Sequence, residues 1–183
     1  MKLKPQTSEK MTQTILFDLE STGLLRRGSR IHCMVARDMA NVDSPMVFDH
    51  REDQTIDMGV HMLLQAKAIV GHNIIGYDIP LIQEAYDFEF KGEVIDTLVL
   101  SRLFYPHIQN RDFEIRPRGM PQRLYGRHSL EAWGHRLKCF KGDFGKDTDW
   151  GTYTPEMLDY CIQDTEVTVK LYELLMRRMN DYA

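Results

Sequence analysis

Four carboxylates sit in three short motifs: Asp18 and Glu20 in FDLESTG, Asp78 in GHNIIGYDIP, and Asp164 in YCIQD. Brought together, such a set is what a pair of hard divalent cations requires. Hard cations take oxygen ligands, and Mg²⁺ keeps a few carboxylates together with waters and substrate phosphates. Two such metals can cut a phosphodiester by activating water on one side and steadying the leaving oxygen on the other. The chain therefore reads first as a metal-dependent nuclease.

Each motif alone has a plainer reading. Asp18 and Glu20 are two apart on a strand pattern, so both project from one face. Two like charges that close repel, which raises a pKa or destabilises the strand unless a cation intervenes. At a strand end open to water the same pair would be harmless. Asp78 follows a short apolar strand, at the end where α/β sites lie; next to Pro80 it also reads as a helix cap. Tyr160 and Asp164 are four apart on a helix and share a face. A phenol with its pKa near ~10 stays protonated. It can hold a water whose acidity the metal supplies, or simply fill a helix interface.

The elements that must position these groups can be read along the chain. Ile15, Phe17 and Leu19 alternate with Leu16, Asp18 and Glu20, which gives a strand over Thr14 to Glu20. Arg30 to Arg37 is a second strand and Pro45 to Phe48 a third. Three short strands with polar turns predict an antiparallel meander. Gln54 to Gln65 is a helix, Ala68 to Gly71 a strand, Ile79 to about Tyr86 a helix, and Val94-Ile95 a brief strand. Asp96-Thr97 caps a helix through Phe104, and Ser129 caps another to Leu137. Thr154 as N-cap with Pro155 behind it opens a last helix to about Met179. This order predicts an α/β domain, a mixed central sheet flanked by helices. Between Phe104 and His128 the sequence reads as one long irregular stretch holding Arg111, Arg116, Arg118, Arg123 and Arg127 against Asp112 and Glu114. A loop that long is usually functional or mobile.

At 183 residues, 43% apolar and 27% charged, the chain is one globular domain rather than a disordered one. The net charge of −4 is unlike that of a passive nucleic-acid binder. It suits a nuclease whose cations neutralise substrate phosphates. Cys33, Cys139 and Cys161 are scattered without a CxxC spacing, which argues against zinc and for a reducing, cytoplasmic setting. No stretch approaches the ~20 apolar residues of a membrane span. Residues 1–13 read as a polar, flexible lead without signal-peptide character, and 14–183 as the working domain.

In order and context together, the motifs resemble those of the DnaQ-like (RNase H-fold) 3′-to-5′ exonucleases, the DEDD group. Asp18-x-Glu20-x-Thr22-Gly23 is similar to the first motif, Asn73-xxx-Tyr77-Asp78 to the second and Tyr160-xxx-Asp164 to the third. The tyrosine marks the DEDDy branch; the histidine branch would carry His where Asp159 stands. IDTLVLSRL, GRHSLEAWGHRL and PEMLDYCIQDTEVT further resemble the proofreading exonuclease domain of T-odd short-tailed phage family A DNA polymerases. The resemblance implies two divalent metals, Mg²⁺ or Mn²⁺. Asp18, Glu20 and Asp164 would bind one of them, and Asp18 would bridge to a second served by Asp78. Tyr160 would orient the attacking water. The implied substrate is single-stranded DNA or a frayed 3′ end, and the product a nucleoside 5′-monophosphate.

Thr22, Gly23, Leu24, His72 and Asn73 are the candidate substrate contacts. Leu24 either wedges against the terminal bases or tucks into the core. His72 is structural or a hydrogen-bond partner, and Asn73 holds a loop or touches substrate. Arg111, Arg116, Arg118 and Arg123 are candidates for the phosphate backbone, since Arg pairs bidentately with phosphate. Asp96 reads as a helix cap rather than a fifth acid, and Trp133 as core. No palm, fingers or thumb fits in this length. The expectation is a domain excised from a polymerase, or a phage exonuclease encoded apart from its polymerase and acting in the host cytoplasm. The competing readings are an inactive nucleic-acid-binding or polymerase-docking module, and an RNA exonuclease of the same fold. The latter choice rests on contacts to the 2′-OH.

Overall fold

The computed structural model describes residues 13–23, 28–139 and 149–181. Strands β1 (Thr14–Ser21), β2 (Ile31–Asp38) and β3 (Asn41–Phe48) form the expected antiparallel meander. β4 (Ala68–Gly71) and β5 (Glu93–Asp96) extend it in parallel from the other side of β1. The order β3-β2-β1-β4-β5 puts β1, with its two acids, at the centre of the sheet.

Six helices cover the sheet among the described residues: α1 (Ile56–Gln65), α2 (Asp78–Ala85), α3 (Thr97–Phe104), α4 (Ile108–Ile115), α5 (Leu130–Arg136) and α6 (Pro155–Asn180). The alternation of β1 decides which goes where. Ile15, Phe17 and Leu19 bury against Val60 and Leu63 of α1 and Leu81 and Ile82 of α2. On the opposite face Leu16 and Val70 meet Val169 of α6. One strand further, Cys33 and Val35 meet Cys161. α3 and α5 then pack on α6, where Trp133, Leu171 and Leu175 form a second core. Burying a large apolar side chain contributes about 1.5–3 kcal/mol. β1 is therefore gripped from both faces, and its polar residues have little freedom.

The Asp96 and Ser129 caps are as expected, and Thr55 adds a third. Thr55 accepts from the Met58 amide, Asp96 from Leu98, and Ser129 from Ala132. Thr154 occupies the N-cap of α6, but its side chain accepts no capping bond; Pro155 sets the helix start.

Two expectations are corrected. β3 begins at Asn41 rather than Pro45. β3 lies at the sheet edge, where a missing N–H costs no ladder bond, so Pro45 sits inside it. The stretch from Phe104 to His128 is not irregular: it holds α4 and a 3₁₀ turn, Gln122–Leu124. α4 is polar on most sides, which hid its period. Its place is set by distant partners. Ile108 enters the Trp133 core. Asp112, 2% exposed, receives Arg136 Nε at 2.9 Å, Arg136 Nη2 at 2.7 Å and the Gly126 amide at 2.9 Å. Burial alone would raise the Asp112 pKa. The bonds from Arg136 and Gly126 outweigh it and hold the carboxyl below the usual range.

Removing one partner of a buried ion pair strands the other. Asp112→Ala is expected to destabilise the fold by about 3–5 kcal/mol in urea unfolding. Because the folded pKa is depressed, that stabilisation is present above about pH 4 and fades on acidification. A loss below 1 kcal/mol at pH 7 would contradict this account of α4.

Candidate active site

β1 aims Asp18 and Glu20 at α6, because Leu16 on the same face packs against that helix. After Glu20 the pairing with β2 slips: Glu20 faces Cys33 but Ser21 faces Ile31, so His32 is the extra residue of a bulge. Bulges re-aim side chains beside functional sites. β4 ends at Gly71, and the chain turns through Asn73, left-handed at φ 64°, into α2, whose first residue is Asp78. Asp96 holds this turn, accepting from the Asn73 amide at 3.0 Å and the Ile75 amide at 3.1 Å while it caps α3. Tyr77 donates to the Gly23 carbonyl and bonds Ser21 Oγ at 2.6 Å, fastening the first motif to the second. α6 brings Tyr160 and Asp164 across from β1, with the Tyr160 phenol donating to Asp164.

All four acids line one open cleft of about 1000 Å³. Asp78 is 3% exposed. The electrostatics are those of a crowded, partly dry set of anions. Burial, then Asp78, pushes the Asp18 carboxyl well up. Burial, then Asp18 and Asp164, raises Glu20 to about 10. Asp78 rises to about 7, with burial the main cause. Asp164 rises through burial and Asp18. Burial and the neighbouring acids also raise the Tyr160 phenol, so it stays protonated.

Ligand atoms of Asp18, Glu20 and Cys161 lie within 4.8 Å of one another. The Cys161 thiol is pushed well up by burial and by Cys33, and it donates to Asp18 Oδ2 at 3.5 Å and the Asp18 carbonyl at 3.4 Å. A protonated thiol is a poor ligand, which leaves an all-oxygen set. Four carboxylates that cannot ionise together fit Mg²⁺ or Mn²⁺, whose charge relieves the repulsion.

No protein-family model matches the chain. It is 30% identical over 191 residues to the DNA-directed DNA polymerase of Escherichia phage T7, covering 88% of this chain and 26% of that protein. The polymerase of Enterobacteria phage T3 is 29% identical over 196 residues, with the same coverage. The chain thus spans about a quarter of the length of these curated relatives. Among solved structures, NrnC of Brucella melitensis superposes with a TM-score of 0.64 at 17% identity, over 97% of this chain and 79% of that one. NrnC is also known with bound Mg²⁺ and with bound pGG. Escherichia coli RNase D, an exoribonuclease involved in structured RNA processing, gives 0.62 at 14% identity over 93% and 40%. E. coli ExoI in complex with single-stranded DNA gives 0.56 at 17% identity over 94% and 42%. The chain has the DnaQ-like exonuclease fold.

In this DnaQ-like domain the cleft collects Asp18, Glu20, Gly23, His72, Asn73, Asp78, Tyr160 and Asp164. Thr22 turns away, its hydroxyl accepting from the Arg30 amide at 3.0 Å. Leu24 lies outside the described residues. His72 Nδ1 is 2.9 Å from Thr97 Oγ1, whose own proton goes to the Gly71 carbonyl at 3.1 Å. Nδ1 therefore carries the hydrogen, and burial lowers the ring to about 4, so His72 is neutral. Arg111, Arg116 and Arg118 line a separate pocket, and Arg123 pairs with Glu131 at 2.8 Å.

Other residues in the cleft carried little signal in sequence. Arg102, Arg127 and His128 line its far side. Trp150 stands edge-on to Tyr160 with ring centroids 6.4 Å apart, and buried His32 donates to the Trp150 carbonyl at 2.9 Å. Cys161 could have been found from its position three residues before Asp164, on the same helix face.

The raised carboxyl pKa values have a fixed sign. The folded state binds more protons than the unfolded one, so metal-free stability falls as pH rises from about 4 through about 7 for Asp78 and toward about 10 for Glu20. Magnesium should therefore raise the melting temperature more at pH 8 than at pH 5.5. Equal shifts at the two pH values in scanning fluorimetry would contradict the electrostatic account.

Proposed function

We propose that the chain removes nucleotides from the 3′ end of a DNA strand by hydrolysis, releasing nucleoside 5′-monophosphates. The observation that carries this reading is the convergence of Asp18, Glu20, Asp78 and Asp164 from β1, α2 and α6 into one open cleft. Those four carboxylates would hold two Mg²⁺ or Mn²⁺ ions. When bound, such a pair lowers the pKa of a water nucleophile and neutralises charge on the leaving oxygen.

The protein's own groups do the positioning. Tyr160 stays protonated at working pH and aims its hydroxyl at Asp164. It is placed to orient the attacking water rather than to deprotonate it. Gly23 and Asn73 line the cleft beside the acids, where a strand terminus would lie. Arg102 and Arg127 face the same cleft and supply positive charge for the phosphates that follow. DNA is favoured as substrate by the similarity to the phage DNA polymerases over most of this chain. The likeness to RNase D keeps RNA as the second reading. Work alongside a polymerase, in a host cytoplasm, follows from the same phage similarity. No helix among the described residues is long and apolar enough to cross a membrane.

The test is digestion of 5′-labelled single-stranded DNA and matched RNA in Mg²⁺, Mn²⁺ or chelator. The expected outcome is metal-dependent shortening from the 3′ end, faster on DNA. Asp18→Ala and Asp164→Ala should abolish it with the circular dichroism unchanged. Tyr160→Phe should lower kcat roughly 10²-fold, the loss expected when a reacting group is misplaced by about 1 Å. Full activity in chelator would overturn the metal mechanism, and faster digestion of RNA would reverse the substrate assignment.

A further inference from the structure

A second pocket of about 500 Å³ opens on the far side of α5. Arg111, Arg116, Arg118, Arg136 and Lys138 line it, with Asp112 the one acid of its lining among the described residues. That acid is already neutralised by the two-point bond from Arg136. Arg111, Arg116, Arg118 and Lys138 are exposed, and none has a carboxylate within salt-bridge distance among the described residues. Arg111 already sits over the Tyr105 ring and acts on Asp112, which leaves Arg116, Arg118 and Lys138 as three cations without an ion-pair partner among the described residues, on a chain whose net charge is −4.

The backbone adds a separate observation. Three non-glycine residues have positive φ among those described: Asn73 at 64°, Arg116 at 49° and Lys138 at 58°. Asn73 belongs to the acidic cleft. The other two are basic residues in this pocket, placed just past the ends of α4 and α5, where glycine is the usual residue. A left-handed conformation is unfavourable for a residue that carries a side chain, and strain of this kind gathers at functional sites.

The two pockets share walls. α3 begins in the acidic cleft with Leu98 and Arg102 and leads to Tyr105 in the basic pocket. α5 begins in the cleft with Leu130 and ends in the basic pocket with Arg136. Seven helical residues rise about 10 Å, the length of about three nucleotides of stacked strand at 3.4 Å each.

We propose that this basic pocket binds the backbone phosphates of the substrate strand a few nucleotides upstream of the scissile bond. This rests on the nuclease reading above and extends it: the acidic cleft holds the 3′ terminus, and the pocket holds the strand that leads to it. Short substrates end before they reach it. Long ones gain affinity from it, and that gain is salt-dependent.

The test uses the triple variant Arg116→Gly, Arg118→Ala and Lys138→Gly. Glycine relieves the left-handed strain, so the variant keeps its melting temperature or raises it. Fluorescence anisotropy in Ca²⁺ compares labelled dT3 and dT12 across a salt series. For dT12 the slope of log K against log salt is expected to fall by about 2, from about 0.7 per lost phosphate contact. Its KM should rise roughly tenfold at moderate salt, while dT3 is unaffected. Hydrolysis of thymidine 5′-monophosphate p-nitrophenyl ester, which cannot reach the pocket, should be unchanged. Binding of dT12 by wild type with no shortening of it in Mg²⁺ or Mn²⁺ would sink the nuclease reading, while the salt slopes still test the site. Identical dT12 slopes, or an equal loss on dT3, would overturn the upstream site, including the outcome in which an acidic protein surface or free phosphate is its occupant.

Discussion

Four carboxylates held close together in a partly dry cleft is the interaction around which this molecule is arranged. Left to themselves, they would separate. Burial raises every one of them, repulsion from neighbouring acids adds to it, and Glu20 and Asp78 reach about 10 and about 7. Something else must hold them in place, and that is hydrophobic burial on both faces of β1. Phe17 and Leu19 anchor the strand from one side. Leu16, with Val169, anchors it from the other. Folding free energy stored in those contacts keeps the acids assembled and leaves a demand for positive charge that divalent cations fit.

The contacts around the acids serve the same end. Asp96 accepts two amides from the turn before α2. Tyr77 ties that turn to the end of β1. Cys161 keeps its proton and donates a hydrogen bond to Asp18, which serves the carboxyl without adding charge. Neutral His72, pinned by Thr97, lines the cleft without contributing a cation. None of these contacts brings a cation to the acids; under the proposed function a divalent metal would supply that charge.

Charge is segregated along the substrate path this suggests. The four acids share their cleft with Arg102 and Arg127, and Arg111, Arg116, Arg118, Arg136 and Lys138 line the other pocket. On the proposed reading, a chain of net charge −4 would meet a polyanion with the cations that line these two pockets. Net charge therefore says little about nucleic-acid handling when the surface is this uneven.

By itself the sequence determined the strand alternation of β1, the caps of α3 and α5, the helical pairing of Tyr160 with Asp164, and the order of elements along the chain. These are local matters: period, cap chemistry and turn residues act over a few positions. It missed α4, whose polar period carries no stripe and whose place depends on Arg136, 24 residues from Asp112. It read Pro45 as a strand start because edge position is not visible locally. Arg111, Arg116 and Arg118 were legible as a basic set, but not as lining a pocket apart from the acids. Cys161 and Trp150 carried no motif. Only the tertiary structure decided which side chains share a cleft, because that depends on how α3, α5 and α6 pack across β1, through contacts between residues far apart in the chain.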